Sequence, residues 1–187
     1  MLAEGAPFER IRDYAGWTIN AAKAMGVKVV NPAGISAFKF NQRKLDVDEG
    51  HVRWQVTPRQ VVHTLARALR DLGVPHPLHI HGSNLGVAGN IESTLQTIDA
   101  LEGLPAHLTH IQFHAYGREG PKKFSSAAQQ LAEAVNANPN ISIVSPDAVT
   151  VWPNMIWPTS MLTLGLALTA SASCSAADEN FFGPSRP

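Results

Sequence analysis

The sequence predicts an α/β fold built on a parallel sheet, and three observations predict it. Segments of helical period alternate with short apolar runs four times in succession, and such alternation joins parallel strands through helical crossovers. The runs are short and rich in aliphatic residues, as strands buried on a parallel sheet are. The unusual side chains, among them Lys28, His79, His81, Asn84, His110 and His114, sit on or just past those runs. Parallel α/β folds collect their chemistry at the carboxyl ends of strands. Four strands make either a small open sheet or half of an eight-stranded barrel.

The elements follow in order. From Pro7 to Met25 the apolar residues Ile11, Tyr14, Ala15, Ile19, Ala22 and Met25 recur at helical spacing, and Gly26 is expected to end the helix. "VKVVNP" reads as a buried strand over Val27–Val30 with a sharp exit at Asn31-Pro32. The stretch from Ile35 to Val56 has no sustained period and reads as a long loop. In "TPRQVVHTLARALRDLG", Thr57 can cap a helix, Pro58 suits its first turn, Gln60 stands at the capping-box position and Gly73 closes it. "PLHIH" is a second strand, Pro77–His81, and "ESTLQTIDALEGL" a helix. A third strand is expected over His107–Phe113, a helix in "SSAAQQLAEAVNANP", and a fourth strand over Ile141–Val144. Helices should cover one face of the sheet only.

After residue 145 the character changes. Residues 146–187 show no amphipathic period and are expected to form an atypical tail, frame-shifted or disordered, with a loosely attached helix around Met161 to Ala170. "MLTLGLALTASASC" is apolar but short of the roughly 20 residues that span a bilayer.

Composition narrows the function classes. The 187 residues are 44% hydrophobic and 16% charged, with 15 basic and 15 acidic side chains. That balance offers no basic field for nucleic acid or an anionic membrane. One cysteine, Cys174, excludes an internal disulfide. The first residues lack the order of a signal peptide, so a cytoplasmic location is expected.

The local excess is histidine: six of eight lie between His76 and His114. Most single strand histidines are hydrogen-bonded core residues. In "LHIHG", however, period two puts His79 and His81 on one face at the strand's carboxyl end. His110 lies near the end of the next strand, and His114 shares its face if that strand continues. Buried imidazoles need carboxylates, backbone groups or a cation, and two or three suit zinc. Spacing alone leaves both readings open. Lys28, flanked by valines, either snorkels from a strand edge or is desolvated enough for its neutral amine to take up carbon dioxide as a carbamate, an anionic oxygen ligand. Gly86 and Gly89 read as turn residues, and Asn84 as a turn residue that could also face a ligand. Arg118, Lys122 and Lys123 are solvated loop charges or a lure for a carboxylate.

"GVKVVNPAGISAFKFNQRKLD", "PHPLHIHGSNLGVAGN" and "HLTHIQFHAYGREGPKKFSSAAQQLAEAVNANPNISI" together resemble, over about residues 5 to 144, the A subunit of formylmethanofuran dehydrogenase and the alpha subunit of the formyltransferase/hydrolase complex. The resemblance implies an amidohydrolase-type (β/α)8 barrel, a TIM barrel of the metal-dependent hydrolase type, with residues 1–145 supplying about strands 4 to 7. It implies a binuclear zinc site and hydrolysis of N-formylmethanofuran to formate and the free amine in one-carbon metabolism. By that resemblance Lys28 is the carboxylated lysine, His81 and His110 are metal ligands, His79 and His114 are secondary ligands, and Asn84 binds substrate. The implied partners are the other subunits of the complex and a methanofuran-type formyl carrier. The family's first-strand His-x-His pair and its proton-transferring aspartate have no counterpart here, so no catalytic residue is assigned and the chain reads as the middle of a longer subunit. Two alternatives stand beside this one: a non-catalytic scaffold subunit of the same complex, and a small metal-binding α/β domain.

Overall fold

The computed structural model describes residues 1–30, 32, 45–120 and 122–143. The expectations for Asn31, for residues 35–44 of the long loop, for Val144 and for the tail with its helix lie outside the described residues.

Helix α1, Phe8–Ala22, buries Ile11 and Ala15 and stops at Lys23, whose φ of 51° is left-handed. The Ala24 N–H then reaches back to Ile19 O at 3.0 Å, the closing bond of a Schellman turn. Lys23 therefore ends the helix three residues before Gly26, where the periodicity placed the stop. Strand β1 is Lys28–Val30. Helix α2, Pro58–Asp71, has the expected capping box: Thr57 Oγ1 accepts from Gln60 N at 3.2 Å, and Gln60 Oε1 accepts from Thr57 N at 3.0 Å. Gly73, at φ 68°, follows its end. Strand β2 is Leu78–His81, helix α3 Ile91–Ala100 and strand β3 Ala106–Leu108.

Beyond β3 the structure departs from expectation. The strand does not run to Phe113. His110 takes the left-handed conformation, φ 61° and ψ 46°, and turns the chain into a 3-10 turn, Ile111–Phe113. A strand cannot continue through a left-handed residue, so the ladder ends here. Two further short strands, β4 at Tyr116–Gly117 and β5 at Ser125–Ser126, pair antiparallel, so Ser125 and Ser126, expected to open the next helix, lie in a strand instead. Helix α4, Ala128–Ala137, and strand β6, Ile141–Ile143, complete the described elements.

The main sheet has the order β1-β2-β3-β6, parallel throughout, each strand beside its predecessor in the helix-crossover series. Its helices pack in the same succession, α1 on α2, α2 on α3 and α3 on α4. Alternation along the strands sorts the side chains. Leu78, Ile80, Ala106 and Leu108 are buried in the core with Leu69, Leu101 and Leu131 of the helical layer, while the residues between them face the other way. The same sequential order serves an open sheet wound in one direction or a segment of a closed barrel.

Candidate functional site

Register builds the site. Lys28 pairs with His79, His79 with His107 and His107 with Ser142, so one row of polar residues crosses all four strands. One step toward the carboxyl ends, Val30 pairs with His81. The rows lie about 6.6 Å apart, two residues along a strand. His79 and His81 therefore share a face, as period two requires, on the side away from the Leu78–Ile80 core.

His110 reaches the upper row by a different route from the one the sequence suggested. It lies beyond β3, and its left-handed turn carries the ring back against His81. The ring centres are 4.9 Å apart at 73°, an edge-on pair. In the lower row the His79 and His107 rings are 4.7 Å apart, and His107 Nδ1 lies 2.9 Å from Ser142 Oγ.

Lys28 opens β1 rather than ending it, so its Cα lies one row deeper than His81. It is exposed, as the snorkelling reading has it: among the described residues β1 pairs on one side only, and alternate residues turn toward the helices. Its stem of about 6 Å nevertheless spans roughly one row. Its charge is felt at both strand histidines. Burial, then His76 and Lys28, hold His79 below the usual imidazole range; burial, then His110 and Lys28, do the same for His81. Burial and then His79 lower His107. At neutral pH these three rings are thus held in the neutral form that can ligate a metal or accept a proton.

His114 does not share the His110 face, because the strand does not continue. It is buried, with Nε2 2.9 Å from Thr109 O and Nδ1 3.2 Å from Thr94 Oγ1. Burial pushes it down to about 4, the Thr109 carbonyl opposing and His81 and His110 adding to the shift. Both nitrogens are occupied, so its expected role as a secondary ligand conflicts with its bonding.

Asn84 is likewise engaged within the protein. At φ 58° its Nδ2 lies 3.2 Å from Leu45 O, 3.2 Å from Asp46 Oδ1 and 3.0 Å from Ser93 Oγ. It ties the loop at Leu45 and Asp46 to Ser93 of α3. Arg59 fixes the same loop through Asp48 while also reaching Asp99 at 2.9 Å. Gly86 and Gly89 take left-handed backbone, φ 75° and 79°, as turn residues do. Arg118 lies 3.9 Å from Glu92, an exposed ion pair.

Sequence reasoning missed His107, and read Asn90 as a turn residue only. A signal for His107 was present: "AHL" repeats the aliphatic-histidine-aliphatic pattern of "LHI". Asn90 is buried, bonds through Nδ2 to Phe113 O and accepts from Tyr116 N at 3.0 Å, so it clamps the segment after β3.

Zinc imposes a spacing on its ligands. Two imidazoles on one tetrahedral zinc, each N about 2.1 Å from the metal, have ring centres about 5 Å apart. The His81–His110 pair meets that spacing. Among the described residues no group of three or more His, Cys, Asp or Glu side chains is placed to hold an ion. The ring spacing of His81 and His110 is thus compatible with two imidazoles on one zinc ion.

No family model matches the chain. It is 37% identical over 145 residues to the A subunit of the formyltransferase/hydrolase complex Fhc of Methylorubrum extorquens, covering 75% of this chain and 26% of that one. It is 36% identical over 141 residues to protein FwdA of Methanocaldococcus jannaschii, covering 70% and 25%. A crystal structure of the formyltransferase/hydrolase complex FhcABCD from M. extorquens, in complex with methylofuran, superposes with a TM-score of 0.74 at 36% identity, over 79% of this chain and 27% of that one. The chain spans about a quarter of the length of these relatives. No helix among the described residues is long and apolar enough to cross a membrane.

Proposed function

From a chain homologous to part of the A subunits of formyltransferase/hydrolase complexes, we propose that it carries a part of a zinc-dependent formamide hydrolase site. In this reading the four parallel strands are a segment of a (β/α)8 barrel, about strands 4 to 7, and the open face that holds Lys28, His79, His81 and His107 is the barrel's interior. The reaction is hydrolysis of an N-formyl amine of the methanofuran type: water adds to the formyl carbon, the C–N bond breaks, and formate and the protonated amine leave. The partners are the other subunits of such a complex; the crystallised relative is itself a complex holding methylofuran.

One observation carries the reading: the ring pair of His81 and His110, 4.9 Å apart, at the end of β2 and just beyond the adjacent parallel strand β3. His81 and His110 would hold the metal through ring nitrogens. Lys28, as a carbamate formed from its amine and carbon dioxide with release of a proton, would add an anionic oxygen. A bound zinc ion supplies Lewis-acid polarisation of a carbonyl oxygen and lowers the pKa of water. His114 and Asn84 hold backbone on either side of the pair, and no residue of this chain is assigned the proton transfer. Calorimetric titration of the full chain with zinc tests the proposal. One binding event is expected, lost in His81→Ala and in His110→Ala. Equal zinc affinity in the wild type and the double variant would sink it.

A second reading, a scaffold subunit of the same complex, is favoured by the absence of a three-member ligand group among the described residues. Hydrolysis of an N-formyl amine by the isolated chain, lost on Lys28→Ala, would exclude it.

A further inference from the structure

The His81–His110 pair is not held by a shared strand. His110 stands in the left-handed region, φ 61°, which a non-glycine residue enters only when its surroundings impose it. What imposes it can be read from the contacts. Thr109, just before it, is fastened to β2 through its N–H and its hydroxyl, both on Ile80 O, at 3.0 and 3.2 Å. The Thr109 carbonyl, at the start of the turn into His110, takes the Nε2 of His114 at 2.9 Å. After His110, the Phe113 N–H returns to His110 O at 3.0 Å and the His114 N–H to Ile111 O at 3.1 Å. The turn is thus closed from both sides by His114.

The same ring touches the other half of the pair. Gly82 follows His81, and a Cβ built on it would stand 2.7 Å from His114 Cε1, closer than real contacts allow. The ring therefore lies flush against the backbone that leaves β2. Thr94 Oγ1, 3.2 Å from Nδ1, fixes the third side from α3. A single buried imidazole thereby touches the chain next to His81, the peptide before His110 and the helix between their strands.

We propose that His114 is a positioning residue that sets the His110 ring against His81, through its bond to the Thr109 carbonyl and its packing beneath Gly82. The proposal rests on the reading above only where metal binding is the readout; the ring geometry itself is tested without metal. It also assigns a reason for glycine at position 82, where the side chain of any other residue would displace the His114 ring.

The experiment uses the full chain, metal-free, and reads nuclear Overhauser cross-peaks between the ring protons of His81 and His110, assigned with His81→Ala and His110→Ala. The wild type should show them. Gly82→Ala, which drives a methyl into the His114 ring, and His114→Leu, which removes the donor to Thr109, should lose them while keeping their far-ultraviolet circular dichroism. His114→Gln, whose amide N–H replaces the Nε2 donor, should retain them. In a cobalt(II) titration followed by absorbance, the first two variants should bind roughly ten- to a hundredfold more weakly than the wild type, the usual consequence of removing a group that orients a ligand. Unchanged cross-peaks in folded Gly82→Ala overturn the proposal, and that variant decides alone if His114→Leu does not fold. Wild-type cross-peaks without cobalt binding would leave the positioning role standing and remove the metal site.

Discussion

His114 makes stability depend on pH in a way that can be worked out in advance. Its folded-state value is about 4, against 6.5 for the free side chain, and burial is the main cause. The folded chain resists protonating it, so below pH 6.5 the unfolded chain binds more protons at this position than the folded one. Stability from this residue is therefore complete above pH 6.5 and falls as pH drops toward 4, below which the loss levels off. At about 1.36 kcal/mol for each pH unit of difference, the full loss is about 3.4 kcal/mol, and it is about 2–3 kcal/mol at pH 4.5. Other groups titrate over the same range, so the comparison is between the wild type and His114→Gln, which cannot titrate. Urea unfolding with a chelator present, followed by circular dichroism at pH 7.0 and 4.5, measures it. With a urea dependence of about 2 kcal/mol per molar, the wild-type midpoint should fall by roughly 1 M more than the variant's between the two pH values. Equal falls in both proteins would show that His114 is not the buried neutral imidazole described above.

Three further outcomes are expected. Thr57→Ala removes the capping acceptor for Gln60 N and should cost about 1 kcal/mol in urea unfolding, with the metal-binding behaviour unchanged. Ile80→Ala, at a fully buried position in β2, should cost about 2–5 kcal/mol by the same assay. Zinc affinity, measured by calorimetry at pH 7.5, 6.5 and 5.5, should weaken toward acid because protonated imidazole cannot ligate; since the His81 ring is held below the usual range, the loss should be larger between 6.5 and 5.5 than between 7.5 and 6.5.

The parts of this fold that were legible in the sequence are those set by local chemistry. The capping box of Thr57 and Gln60 and the alternation in "LHIH" depend on near neighbours alone, and both stand in the structure. The length of β3 was not legible. "HLTHIQF" alternates well enough to pass for a strand, and the contacts from Ile80, Gly82, Asn90 and Thr94 that help hold His110 and His114 in their turn are all distant in sequence. His107 was overlooked for a related reason, since its partner His79 is visible only once strand register is known. For Lys28 the flanking valines left both a snorkelling and a desolvated reading open, because valine neighbours say nothing about the face that lies between them; its exposure matches the snorkelling one. Asn84 was legible as a turn residue; its four hydrogen bonds to Leu45, Asp46 and Ser93 were not.

The sequential order of the sheet has a kinetic consequence. Each strand hydrogen-bonds only to its neighbours in the β1-β2-β3-β6 series, so opening at one end need not break pairing at the other. β2 and β3 are held on both sides, whereas among the described residues β1 pairs on one side only, with β2. Among the described residues β6 likewise pairs on one side only, with β3, so local opening should begin at the ends of the series, β1 with α1 and β6 with α4, and spread inward, as cooperative units do when their contacts are mostly nearest-neighbour. The amide hydrogen of Val29, which faces β2, would exchange through this partial opening, and those of Ile80 and Leu108 only on loss of the whole structure. The His81 half of the ring pair lies on one of the two slowest-exchanging strands, and Lys28 on one of the fastest.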